Sequence, residues 1–210
     1  MYPLVVASLH LDDLLSTMAR LTTPFAELAQ GQESIDPQKD GEPVLIGQVG
    51  SLSYMLEYGG TTFAMAWGLL ERMATETNSL VISAIHDPME DQAEFFVARG
   101  RDILRAYWFN SKRTTRPFSL GTPLPTEESA PLSDPHGRGF TAALKHFGFA
   151  LMDHGKGFER SPGDRWVGWK GSALSILQGD GLREQVNAHV REFANPAYSP
   201  PVPKVRVRRK

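Results

Sequence analysis

Polar and apolar positions change period repeatedly between residues 51 and 110, and each change predicts an element. Leu52, Tyr54, Leu56 and Tyr58 alternate with Ser53, Met55 and Glu57, the period of two of a strand with unequal faces. Gly59-Gly60 turns the chain, and Thr61 or Thr62 can cap a helix. Its apolar stripe is Phe63, Ala66, Trp67, Leu70, Met73 and Ala74, with Glu71, Arg72 and Glu76 toward water. Ser79–Ile85 is apolar on both faces and predicts a central strand covered on both sides. After the loop His86-Asp87-Pro88-Met89-Glu90-Asp91, strand Glu94–Arg99 turns through Arg99-Gly100-Arg101-Asp102 into strand Ile103–Phe109.

Upstream, Leu11, Leu14, Leu15, Met18, Leu21, Phe25 and Leu28 carry the spacing of an amphipathic helix, broken and restarted at Thr23-Pro24. A polar loop over 30–43 and a strand over Val44–Val49 follow. The expected fold is α+β: a mostly antiparallel sheet of about five strands with packed helices and a C-terminal helical segment.

From Ser111 to Gly139 the pattern lapses. Five prolines among serines, threonines and glutamates leave little apolar surface, so residues 111–139 are expected to form a linker or irregular surface loop. Helical spacing resumes at Phe140, Ala143, Leu144 and Phe147. A glycine-rich aromatic stretch then carries Trp166 and Trp169. Ser172 and Asp180 resemble caps of two last helices, the second burying Leu182, Val186, Val190 and Phe193. The division expected is a core over 1–110, the connection, a helical segment over 140–195 packed on the core, and a disordered basic tail over 196–210.

Composition narrows the function. The chain has 210 residues, 41% hydrophobic and 22% charged, enough for one generous domain. A net charge of −2 argues against a whole-protein nucleic-acid footprint. The absence of cysteine excludes thiolate chemistry and cysteine-ligated zinc. The early apolar run is cut by Asp12 and Asp13 with no basic residue before it, and no run reaches the ~20 residues of a membrane span. A cytoplasmic protein without a membrane partner is the expectation.

Candidate chemistry is sparse. His86 beside Asp87 offers a tuned base, but neighbours on a strand point to opposite faces. Glu57 interrupts an apolar strand, and with Glu94 it could form a carboxylate pair; sharing a face with Ser53 suggests a solvated or partner-facing side instead. His136, His146 and His154 match no zinc spacing. Gly155-Lys156-Gly157 lacks the offsets of a phosphate loop. No cofactor or metal is expected. Tyr107, Trp108 and Phe109, with Trp166 and Trp169, are dense enough in aromatics to anchor an interface. The ending KVRVRRK has five basic residues in seven, and contact with nucleic acid through that tail is the minor reading.

The stretch LSYMLEYGG, TTFAMAWGLLERMATET and NSLVISAIHDPMEDQAEFFVARGRDILRAYWFN resembles a group of bacterial proteins. In that group a strand ending in Glu and Gly precedes a helix, a further strand and a hairpin. Such proteins are similar to the immunity partners found beside polymorphic and contact-delivered toxins. The resemblance implies a non-enzymatic, cytoplasmic protein that masks the active site of a cognate toxin. Glu57, Asp87, Glu90, Asp91, Trp166 and Trp169 are the expected partner-binding residues. The alternatives are a small hydrolase or transferase using His86 with Asp87 or Glu57, and a nucleic-acid adaptor acting through the tail.

Overall fold

The computed structural model describes residues 3–22, 26–31, 42–57, 66–149, 164–171 and 181–197. The strands are β1 (Leu4–Ala7), β2 (Ala26–Gly31), β3 (Glu42–Val49), β4 (Leu52–Glu57), β5 (Leu80–Asp87), β6 (Gln92–Arg99), β7 (Asp102–Asn110), β8 (Phe118–Gly121) and β9 (Arg165–Gly171). The helices among the described residues are α1 (Leu11–Thr22), α2 (Trp67–Thr77), α3 (Arg138–His146) and α4 (Gly181–Glu192), with a 3-10 turn at Pro125–Glu128. No described helix is long and apolar enough to cross a membrane.

The α+β class and the antiparallel sheet are as expected; the size of the sheet is not. It has nine strands in the order β2-β9-β3-β4-β1-β5-β6-β7-β8, against about five expected. Every neighbouring pair is antiparallel. The period-two and all-apolar segments became β3 to β7. The four additional strands come from segments whose pattern pointed elsewhere. β1 is four apolar residues buried on both faces between β4 and β5, too short to display a period. β2 contains Leu28, whose spacing fitted the α1 stripe, but α1 stops at Thr22 and the restart is a strand. β9 lies in the aromatic stretch, between β2 and β3.

Both faces of the sheet are covered. On one, α1, α2 and α4 pack over Val5, Met55, Val81, Phe96 and Trp108. On the other, α3 and buried Leu124, Leu132 and Phe149 pack over Leu4, Tyr54, Ile82, Phe95 and Tyr107. Each large apolar side chain so buried contributes on the order of 1.5–3 kcal/mol. That double cover explains why β5 is buried from Leu80 through His86 and apolar at Leu80, Val81, Ile82, Ala84 and Ile85. Gly100, at φ +56°, supplies the left-handed residue of the β6–β7 turn, as its sequence predicted.

Residues 111–139 depart from the expected irregular linker. They hold the edge strand β8, which pairs with β7 from Arg105↔Gly121 to Trp108↔Phe118. Arg105, with a side chain only 4% exposed, bonds Glu127 through Nε to Oε1 at 2.7 Å and Nη2 to Oε2 at 2.8 Å. Its Nη1 also donates to Ser119 Oγ at 2.8 Å and Leu120 O at 3.1 Å. The end of α4 is fastened to the same segment, because Thr115 N–H donates to Phe193 O at 2.9 Å and Asn195 Nδ2 to Ser111 O at 2.7 Å. Polar side chains satisfying backbone groups replace the apolar surface this segment lacks.

Candidate functional site

The β5–β6 connection, Pro88 to Asp91, projects from the end of the sheet. Asp87 starts it as an aspartate turn, its Oδ1 accepting the N–H of Met89 at 2.9 Å and of Glu90 at 3.2 Å. Asp91 closes it at φ +48°, a conformation aspartate tolerates better than most residues. The result places Met89 at the tip, 86% exposed, with exposed Glu90 and Asp91 beside it. Glu90 pairs with Lys112 at 2.7 Å, both exposed, a contact that water competes with and that contributes little.

Beneath this turn, on the α3 side of the sheet, is a cleft of about 110 Å³. The register explains it. Ala93 stands between His86 on β5 and Phe109 on β7, so a small residue is flanked by two rings. Tyr107 lines the cleft one row further in, and the loop from Leu132 to Pro135 borders it. The His86 ring lies 5.5 Å from that of Phe140 on α3. Gly137, at φ +70°, begins α3 against it, where any added Cβ would stand 2.9 Å from His86 Nδ1.

Charges of both signs act on the cleft, the N-terminal charge and Arg105 against Asp134, Asp87 and Asp91. Asp134 accepts from Arg138 Nη2 at 2.6 Å and Nε at 3.0 Å, and from the N–H groups of His136 at 2.9 Å and Arg138 at 3.3 Å. The Arg138 hydrogen bonds hold its pKa down at about 2, so it is ionised throughout the neutral range. Burial and, after it, the N-terminal charge lower the pKa of His86, and Asp134, Asp87 and Asp91 oppose that shift without cancelling it. Burial pushes the Tyr107 phenol up to about 12. Its buried hydroxyl has no hydrogen-bond partner among the described residues.

The structure separates several residues that chemistry would need together. His86 belongs to the α3 face and Asp87 to the opposite one, where its carboxylate caps the turn. Glu57 is on the α1 side, paired across from Val44, so it does not converge with His86. Glu57 is also 1% exposed, which corrects its assignment to a partner-facing surface. Glu94 lies on the same face but β1 and β5 intervene, roughly 14 Å at ~4.8 Å per strand. Trp166 is half-buried against the α3-side core rather than displayed. Trp169 is placed by its backbone, opposite Leu28 and Glu42. Thr61, Thr62, His154, Gly155 to Gly157, Ser172, Asp180 and the basic tail lie outside the described residues.

A second polar group is buried under α4. Glu94, fully buried, accepts from Trp108 Nε1 at 2.9 Å and Gln92 Nε2 at 2.7 Å, with Arg183 Nη1 at 3.5 Å. Burial raises its pKa, and the Arg183 charge and these donors oppose the rise. Among the described residues, no group of three or more His, Asp or Glu is placed to hold a metal ion.

Sequence reasoning singled out His86, Asp87, Glu90 and Asp91 but passed over Tyr107 and Asp134 as parts of one cleft. Tyr107 read only as one of a dense set of aromatics, and Asp134 fell within the linker expected over 111–139. Nothing in the spacing brings residue 134 to residue 86. No family model, curated protein or solved structure matches this chain.

Proposed function

We propose that this chain is a non-enzymatic protein-binding protein whose acidic β5–β6 turn docks into a basic cleft of a partner. Its specific form is immunity-type inhibition, in which the turn masks the active site of a bacterial toxin. The observation that carries the reading is the turn itself. A methionine 86% exposed, flanked by Glu90 and Asp91 on a turn held by Asp87, combines an adaptable apolar contact with charge for steering. An exposed methionine contributes nothing to the core, whereas at an interface it repacks against irregular surfaces.

A catalytic reading draws less support. His86 and Asp87 diverge, and the cleft beside them has about 110 Å³, well under the ~300–1,000 Å³ of ordinary small-molecule sites.

Coexpression with the product of the adjacent gene tests the proposal. The expected result is copurification that survives in the wild type and fails in the triple variant Met89→Ser, Glu90→Gln, Asp91→Asn. Asp87 is left in place because it holds the turn. Failure of the wild type to retain the partner overturns the reading.

A further inference from the structure

We propose that the cleft beneath the β5–β6 turn is an anchor pocket for the cationic end of one partner side chain, a lysine ammonium or an arginine guanidinium. The inference rests on the protein-binding reading above and names what the cleft would take from the partner.

Size comes first. At about 30 Å³ per water, a cleft of about 110 Å³ holds roughly four waters or one slim side-chain end. The Ala93 gap between His86 and Phe109 gives that end a slot rather than a flat patch.

The second observation is independent of charge. Tyr107, which lines the cleft, is 5% exposed, and its buried hydroxyl has no partner among the described residues. Buried hydroxyls are nearly always bonded, so one left open in the free protein marks a place where a ligand atom can complete it. The phenol stays neutral at any ordinary pH, so its lone pairs are available to an N–H donor.

Charge then selects the donor. Among the described residues that line the cleft, the carboxylates on its side of the sheet are those of Asp91 and Asp134, with no lysine or arginine among them; the N-terminal charge acts on His86 against them. The carboxylates attract a cation there and disfavour an anion. Asp134 is already held by Arg138 and contributes field rather than a new bond. Asp91 and the Tyr107 hydroxyl are the groups that meet the guest.

The test needs no partner protein. Side-chain and amide NMR signals of Tyr107, Ala93 and Phe109 are followed while n-butylammonium, n-butylguanidinium or neutral n-butanol is titrated into the full chain. The expected result is a saturable shift with at least one cation, with a Kd on the order of millimolar, and none with butanol. Tyr107→Phe, which keeps the ring and removes only an unbonded hydroxyl, weakens cation binding about tenfold. Asp91→Asn, whose backbone suits the same left-handed residue, weakens it further. Absence of a saturable shift, an equal response to butanol, or unchanged affinity in Tyr107→Phe overturns the pocket. Loss of the pocket while the turn variant still releases the partner removes the anchor alone. Cation binding without any partner leaves the pocket standing and removes the docking reading.

Discussion

Glu127→Ala is the sharpest test of how residues 111–139 are held. The substitution removes two charge-assisted hydrogen bonds to Arg105, at 2.7 and 2.8 Å, and the acceptor of the Leu124 N–H at 2.9 Å. Arg105, 4% exposed, keeps only the acceptors of its Nη1 and becomes a buried, unpaired cation. Unpairing a buried ion costs ~3–5 kcal/mol, and Glu127 is itself 11% exposed, so the loss should be about 3 kcal/mol. For a chain of this size that is roughly 6–12 °C in Tm. Urea unfolding followed by circular dichroism reads the free energy, and trypsin cleavage at Arg113 and Arg116 reads the segment. Replacing both partners, Arg105→Met with Glu127→Leu, should recover most of the loss. The pH dependence has a fixed sign. Burial alone would raise the Glu127 pKa, but its hydrogen bonds and the Arg105 charge lower it overall. Its stabilisation is therefore present above the unfolded value of about 4.3 and fades as pH falls through the lower folded value. A loss under about 1 kcal/mol, with trypsin sensitivity unchanged, would refute the view that this pair ties the segment to the sheet.

Three further substitutions follow from the same geometry. Tyr107→Phe should leave stability unchanged or raise it by up to about 1 kcal/mol, because the hydroxyl removed is buried and unbonded; a clear drop in urea midpoint would show that it has a partner. Gly137→Ala should cost about 2 kcal/mol by thermal melting, since it puts a Cβ at φ +70° and 2.9 Å from His86 Nδ1, and an unchanged Tm would contradict that packing. Glu94 has a raised folded pKa, so its net contribution improves as pH falls from that value toward the unfolded value of about 4.3. Unfolding of wild type and Glu94→Gln across that range should show the difference shifting in favour of wild type at lower pH, and a pH-independent difference would be inconsistent with the burial described.

What could be read from the residues divides by the range of the forces involved. Strands β3 to β7 announce themselves because each has a complete period or an all-apolar run bounded by turns. β1 is too short for a period; what makes it central is pairing with β4 and β5, more than 40 residues distant. β8 was hidden because its hold is Arg105, whose charge reads as surface until Glu127 meets it. Of the site, the turn was legible from the polar loop His86 to Asp91 with Asp87-Pro88 in it; the left-handed backbone at Asp91 was not. The cleft was not, because it depends on Ala93 falling opposite both His86 and Phe109, a matter of register across three strands. Glu57 misled for a related reason. A carboxylate in an apolar strand suggests an exposed face, but here both faces of β4 are covered.

The central claim is that the β5–β6 turn is the docking element, and it is tested by the affinity of the copurified partner for wild type and for Met89→Ser, Glu90→Gln, Asp91→Asn. None of the three side chains is buried, so folding stability should be unchanged while affinity falls at least roughly thirtyfold, the loss of a single interface hot spot. Equal affinity of the two proteins, with the triple variant folded, would contradict the account.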